Sequence, residues 1–280
     1  MSDGSDNTFD AGAYWQERVV SGADLSVVGH RSMGPVYNTH IYERRIEVLE
    51  QMLSRHTSKA IQDLRVLDIG CGSGFYTGYW SARGVRDYVG VDISPATVQH
   101  LAEKFPTYEF INRDMTEPDG DGFLVDEPFD VVTVFDVFYH IVDDDRFTRA
   151  VDHAAKAIAA TGCVLVMDQL CPERYQLSRH VVYRCRADYL ATFSARDLEL
   201  ADDELLFHYL VPPLSGSRVV DLSAATVFKA AGFVLRLSGS LAARSAAALR
   251  RFDARQRQQG RRVSNSEMLV FKRPGVSADA

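Results

Sequence analysis

The chain has 280 residues, 46% of them hydrophobic, which suits one large domain with a full core or two small ones. Asp and Glu number 38 against 31 Lys and Arg, and the net charge of −7 argues against a general nucleic-acid-binding surface. Four cysteines (Cys71, Cys163, Cys171, Cys185) lack C-x-x-C spacing, so neither a structural zinc site nor a disulfide framework is indicated, and no metal site is expected. No run reaches the ~18 apolar residues of a membrane span, and the polar, acidic start has no signal pattern. A soluble, cytoplasmic protein is the expectation.

In chain order, residues 10–60 read as a largely helical N-terminal segment. Within 42–53, Ile46, Leu49 and Leu53 recur at helical spacing on one face. Residues 29–35 form a Gly- and Pro-punctuated loop before it. From 64 onward the pattern alternates. Strands are expected at 64–69, 88–93, 108–112, 129–135 and 163–168, with helices at 75–83, 95–104 and 143–160. Alternating β and α elements give right-handed crossovers and a parallel sheet covered on both faces. Beyond 170, residues 204–211 read as a strand stopped by Pro212 and Pro213. Residues 233–238 are strand or helix, 244–259 are Ala- and Arg-rich and helical, and 267–272 form the last strand.

The most informative stretch is Val66, Leu67, Asp68, Ile69, Gly70, Cys71, Gly72, Ser73, Gly74. An apolar run carrying an acid, then glycines at alternate positions, then a helix, places a tight turn outside the carboxyl end of a strand, where doubly wound sheets bind ligands. Cys71 serves there as a small residue. The dinucleotide fingerprint requires a glycine three positions after Gly72, where Phe75 stands. A second acid, Asp92, followed by Ile93, ends the next strand and can accept hydrogen bonds from two ribose hydroxyls. Ser94 and Pro95 already cap and open the following helix, which leaves Asp92 available.

These residues resemble the class I S-adenosylmethionine-dependent methyltransferases, whose first motif reads as an aliphatic run followed by D-x-G-C-G-x-G. The resemblance covers about 64–170 well and the rest loosely. It implies a Rossmann-like α/β fold: a seven-stranded, mostly parallel sheet of order 3-2-1-4-5-7-6 with helices on both faces. A single methyltransferase domain over 1–280 is the expectation, with a helical cap at 10–60, a cofactor-binding core at 64–170, an inserted lid at 171–222 after strand five, and the C-terminal part of the fold at 223–273. The implied cofactor is S-adenosylmethionine, with S-adenosylhomocysteine as product.

Three further segments extend the match. Asp114, with Met115 beside it, stands where the family often places an acid for the adenine amino group and an apolar neighbour for the ring; a turn acid is the alternative. Phe135 and Asp136, at the carboxyl end of the fourth strand, line the cofactor if the fold is right. Tyr139 and His140 then lie toward the substrate. Near the N-terminus, Tyr14 and Arg18 resemble a segment that covers the cofactor and reaches its methionine end, and Trp15 reads equally as core. His140 is the candidate general base, since imidazole titrates near neutral pH, against a helix-start histidine bonded to backbone. His30, His180 and His208 are its rivals.

The expected activity is therefore methyl transfer to a small-molecule acceptor of natural-product or sugar type, oxygen before nitrogen or carbon. The N/D-P-P-Y/F pattern that resembles amino-directed nucleic-acid methyltransferases is absent, and no nucleic-acid or membrane partner is expected. Alternatives are a nicotinamide-dependent oxidoreductase and a non-catalytic S-adenosylmethionine-binding partner protein. Arg244, Arg250, Arg251, Arg255, Arg257, Arg261 and Arg262 crowd one stretch, either a solvated helix face or a site for an anionic substrate. Apolar positions such as Val181, Val182, Tyr189 and Phe193 suit a pocket wall or a homodimer surface.

Overall fold

The computed structural model describes residues 35–118, 127–207, 219–223, 226, 244, 247–248, 250–255 and 266–275. Helix α1 (Pro35–His56) precedes a run of β1 (Arg65–Ile69), α2 (Phe75–Ala82), β2 (Asp87–Asp92), α3 (Pro95–Lys104), β3 (Glu109–Asn112) and β4 (Phe129–Phe135). Then follow α4 (Asp144–Ala157), β5 (Ile158–Gln169), a hairpin of β6 (Tyr175–Ser178) and β7 (Val181–Tyr183), α5 (Arg186–Ser194), β8 (Glu199–Leu205) and β9 (Ser266–Lys272). Seven strands form one sheet of order β3-β2-β1-β4-β5-β9-β8. Its first five strands are parallel, and β9 inserts antiparallel between β5 and β8. Counted over this sheet alone, that is the expected 3-2-1-4-5-7-6.

The strands are apolar throughout because both faces are buried. Successive residues supply opposite layers: Leu67, Val132, Val134, Val164 and Val166 pack under α4 and α5, whereas Val66, Val131, Phe135, Leu165 and Met167 pack under α1 and Trp80 of α2. Helix α1 thus covers the sheet through Val48, Leu49, Met52 and Leu53 rather than serving only as a cap over the cleft. The rest of the expected cap, 10–34, lies outside the described residues.

Several boundaries differ from expectation, among them the start of β5, which was expected at 163 and lies at Ile158. Helix α4 stops at Ala157, not 160, because Ile158 turns extended and pairs with Phe129. Glycine is required shortly after: a Cβ on Gly162 would lie 2.8 Å from the Phe129 carbonyl oxygen. The strand expected at 204–211 instead spans Glu199–Leu205. Its Leu-Ala-Asp-Asp-Glu sequence hides the strand signal, since an edge strand tolerates charge. Here Arg44 holds Glu204 at 2.8 Å, Arg186 holds Asp203 at 2.9 Å, and His56 holds Asp202 at 3.0 Å. Within 171–222, expected as an inserted lid, the added element is the β6–β7 hairpin, while α5 and β8 build the sheet and its covering layer. Residues 233–238 lie outside the described residues, and of 244–259 the described part includes helical 250–255. No helix among the described residues is long and apolar enough to cross a membrane.

Candidate active site

The carboxyl ends of β1, β2, β4 and β5 converge on one edge of the sheet. There Gly70, Gly72 and Gly74 all have positive φ (76°, 52° and 76°), a region that penalises any side chain. Gly70 and Gly74 are also pressed against neighbours, since a Cβ would collide with Val137 and Leu101 respectively. Gly72 is different. Among the described residues a Cβ there would meet only the Gly70 carbonyl, at an ordinary contact distance of 3.7 Å, so the space beside it is uncrowded by them. The Gly70 and Cys71 amides donate to the Val91 carbonyl, pinning the turn to β2.

Asp92 closes this turn. One carboxylate oxygen accepts the Gly72 amide at 3.0 Å and the other accepts the Ser94 amide at 2.9 Å. A carboxylate offers about four lone-pair positions, so each oxygen keeps one for a ligand hydroxyl. Burial raises the Asp92 pKa, and its two backbone donors oppose that rise. Asp68 sits beneath the turn, inside the sheet, with Tyr88 Oη at 2.9 Å and Thr133 Oγ1 at 2.8 Å on its two oxygens. Burial pushes its pKa up to about 6. It holds the turn from below. Cys71 is buried against Gly90, where a Cβ would stand 3.2 Å from its Sγ.

Phe135 ends β4 and packs edge-on against Tyr76, ring centroids 4.7 Å apart. Asp136 follows in the left-handed region (φ 59°), unusual for a residue with a side chain, and its amide donates to the Met167 carbonyl at 2.8 Å. Its carboxylate is gripped by Arg45 of α1, Nη1 at 2.5 Å and Nη2 at 3.2 Å. Sequence reasoning missed Arg45, because it is 91 positions from Asp136 and reads as one charge on an amphipathic helix.

Toward the expected acceptor side, Tyr139 and His140 lie in a single 3-10 turn (Phe138–His140), against which the β6–β7 hairpin docks. His140 Nδ1 donates to the His180 carbonyl at 3.2 Å, and the two imidazoles stack with centroids 6.4 Å apart. Arg184 anchors the hairpin, reaching Asp144 at 2.8 Å and lying 4.1 Å from the Phe147 ring. Asp168, near the end of β5, was also missed. It is buried, accepts from Tyr189 Oη at 2.5 Å, and burial drives its pKa up to about 8.

The remaining candidates fall as follows. Asp114 engages both oxygens internally, one with the Thr116 amide and hydroxyl, the other with Arg146 at 2.6 Å, which is the turn-acid arrangement. Met115 is buried in the core and Ile93 is half-buried. Tyr14, Trp15, Arg18, His30 and His208 lie outside the described residues, as do Arg257, Arg261 and Arg262. Arg250 bridges Glu43 and Glu47 of α1 beside a cavity of about 560 Å³ that also touches Tyr42 and Phe75. Among the described residues, no group of three or more His, Cys, Asp or Glu could hold a metal ion.

Residues 66–162, which span the turn, Asp92, Asp136 and His140, match the family model described as a methyltransferase domain. Among curated proteins, the mRNA cap guanine-N(7) methyltransferase of Saccharomyces cerevisiae is 24% identical over 145 residues. That match covers 47% of this chain but only 32% of the yeast protein, so the chain spans about a third of the relative's length. Among solved structures, a SAM-dependent methyltransferase of Leishmania major superposes with a TM-score of 0.53 at 15% identity, covering 69% of this chain and 74% of the other. The N-methyltransferase NodS of Bradyrhizobium japonicum WM9 gives 0.50 at 14% identity, covering 85% and 98%. At these identities the structural likeness speaks to the fold.

Proposed function

We propose that this chain, which belongs by its core to the class I S-adenosylmethionine-dependent methyltransferases, methylates a small-molecule acceptor, at oxygen before nitrogen or carbon. The observation that carries the cofactor reading is the glycine turn closed by Asp92. Uncrowded space beside Gly72, together with a carboxylate that keeps two lone pairs, fits a nucleoside whose ribose hydroxyls donate to Asp92.

When bound, the cofactor supplies a methyl group on a sulfonium, so that the reaction is a displacement at carbon with the leaving group already in place. The chain must align the acceptor and receive its proton. His140 is suited to the second task. A carbonyl oxygen only accepts, so the bond to His180 requires a proton on Nδ1, and the neutral ring then carries its lone pair on Nε2. A hydroxyl acceptor needs such a base, which is why oxygen stands first. Tyr139 and the hairpin supply the surrounding wall.

A small acceptor is favoured over capped RNA by the net charge of −7. Phe75, packed on Tyr42 with centroids 4.2 Å apart, stands where a nicotinamide enzyme would place its third glycine. Calorimetric titration with S-adenosylhomocysteine, NAD(H) and NADP(H) tests the reading. Micromolar binding of the homocysteine nucleoside alone is expected, weakened at least ~10-fold in Asp92→Ala by loss of charge-assisted hydrogen bonds. Binding of a nicotinamide nucleotide instead would overturn it. A radiolabelled-methyl screen over hydroxylated and amino acceptors then finds the substrate.

A further inference from the structure

Cys171 and Cys185 stand at the two ends of the β6–β7 hairpin, fourteen positions apart in the chain, and the fold makes them direct partners. They form an isolated parallel bridge, in which the Cys171 amide donates to the Arg184 carbonyl at 3.2 Å. Register partners put their side chains on the same face with Cα atoms about 5 Å apart, inside the ~4.4–6.8 Å span of a disulfide. Both are free thiols in this structure, Cys171 buried and Cys185 partly exposed. The two sulfurs sense each other: burial pushes the Cys171 thiol up to about 11, and the Cys185 sulfur adds to the rise. Cys163, by contrast, has Val131 as its register partner, and Cys71 packs on Gly90.

We propose that Cys171 and Cys185 are a redox-modification site, closed to a disulfide by a small oxidised thiol, and that the bond fastens the hairpin at its root. Cys185, the more exposed, reacts first: its thiolate attacks one sulfur of the small disulfide and expels the other as a thiolate. Cys171 then attacks the Cys185 sulfur and displaces the second small thiolate, leaving one S–S bond within the chain. The two cysteines lose two electrons and two protons, and the small disulfide takes up both to become two thiols. The bond matters because, among the described residues, β6 and β7 pair only with each other. It joins the exit of the hairpin to residue 171, two positions past the end of β5, and so removes open states of the segment between. The same hairpin holds the His140 imidazole through the His180 carbonyl, so oxidation also fixes the proposed base. That last consequence rests on the proposed function; the bond itself does not.

The full chain is equilibrated in reduced and in oxidised glutathione, quenched with acid, and mapped by digestion and tandem mass spectrometry. The oxidised sample should hold one link, Cys171 to Cys185, with Cys71 and Cys163 recovered as thiols. Hydrogen exchange over 175–183 should slow by ~10-fold or more against the reduced sample. Cys185→Ser, which keeps a hydroxyl at the N-cap of α5, should show neither the link nor the slowing. Cys171→Ser should stop at a mixed disulfide on Cys185. The reduced and oxidised wild type carry the test alone should either variant fail to fold. No link, a wild-type mixed disulfide that goes no further, a link through Cys71 or Cys163, or a link that leaves exchange unchanged would overturn the proposal. S-adenosylhomocysteine titration of the reduced chain reports separately on the cofactor reading.

Discussion

Asp68 and Asp168 are carboxyls held out of water, and their titration couples the active edge to stability. Burial raises them to about 6 and about 8, from an ordinary value near 3.8. Between pH 4 and 8 the native state therefore holds protons that the unfolded chain has released. Stability contributed by this difference is complete below pH 4 and declines as pH rises through the window. Asp144, whose pKa is lowered by its hydrogen bond to Arg174, acts in the opposite sense and only at the acid end. Urea midpoints measured from pH 5 to 8 should fall with rising pH, and Asp168→Asn, which keeps an acceptor for Tyr189, should flatten the decline above pH 6. Equal slopes in the two proteins would refute this role. At this scale the sequence was legible where function is local. Gly70, Gly72, Gly74 and Asp92 lie within 23 residues of one another, so their spacing alone reports the turn. Arg45 and Asp168 acquire meaning only from partners that the fold brings to them. Asp114 was expected to receive the adenine amino group, and its neighbour Thr116 and the distant Arg146 engage its two oxygens.

Elements were legible in proportion to how strongly burial wrote their pattern. Strand β4, buried along almost its whole length, was placed at 129–135 as observed, and α3, capped by Ser94 with Pro95 behind it, at 95–104. β8 was not, because its acids are held by ion pairs from α1 and α5 that no local window contains. The hairpin β6–β7 gives the element-scale prediction. Among the described residues its two strands pair only with each other, so its position depends on side-chain anchors, chief among them Arg184, which reaches Asp144, the Phe138 carbonyl and the face of Phe147. Breaking a buried charged anchor costs about 3–5 kcal/mol when the partner is left buried, and less here, since Asp144 is half exposed. Arg184→Ala should lower stability by roughly 2 kcal/mol and raise the KM for the acceptor, while cofactor affinity changes little. Hydrogen exchange confined to 175–183 would locate the loosening. A cofactor affinity that falls in step with the KM would contradict the assignment of the hairpin to the acceptor side.

Over the whole molecule, both faces of one sheet are covered, so its two apolar layers are expected to melt together. Phe271 of β9 stacks face to face on Phe193 of α5, centroids 3.9 Å apart, in the same apolar layer as Leu67 and Ile69 of β1. Phe271→Ala should cost about 3–5 kcal/mol, a large share of the 5–15 kcal/mol typical of a domain. One cooperative urea transition should shift as a unit; a second transition appearing in the variant would mean that the layers fold independently. Strand order was legible through the resemblance of the first motif to a family with a fixed topology, not through the periodicity of the last strand. The placement of that strand has a consequence during synthesis. Among the described residues β8 pairs with β9 and with no other strand, and β9 begins 61 positions after β8 ends. Until residue 266 has left the ribosome, β8 has no ladder to join, and the apolar edge Val164, Leu165, Val166, Met167 of β5 stands open on the side that β9 will take. A nascent chain halted in that interval offers a bare β-edge to other chains. The same protein is therefore most exposed to aggregation just before its last strand arrives.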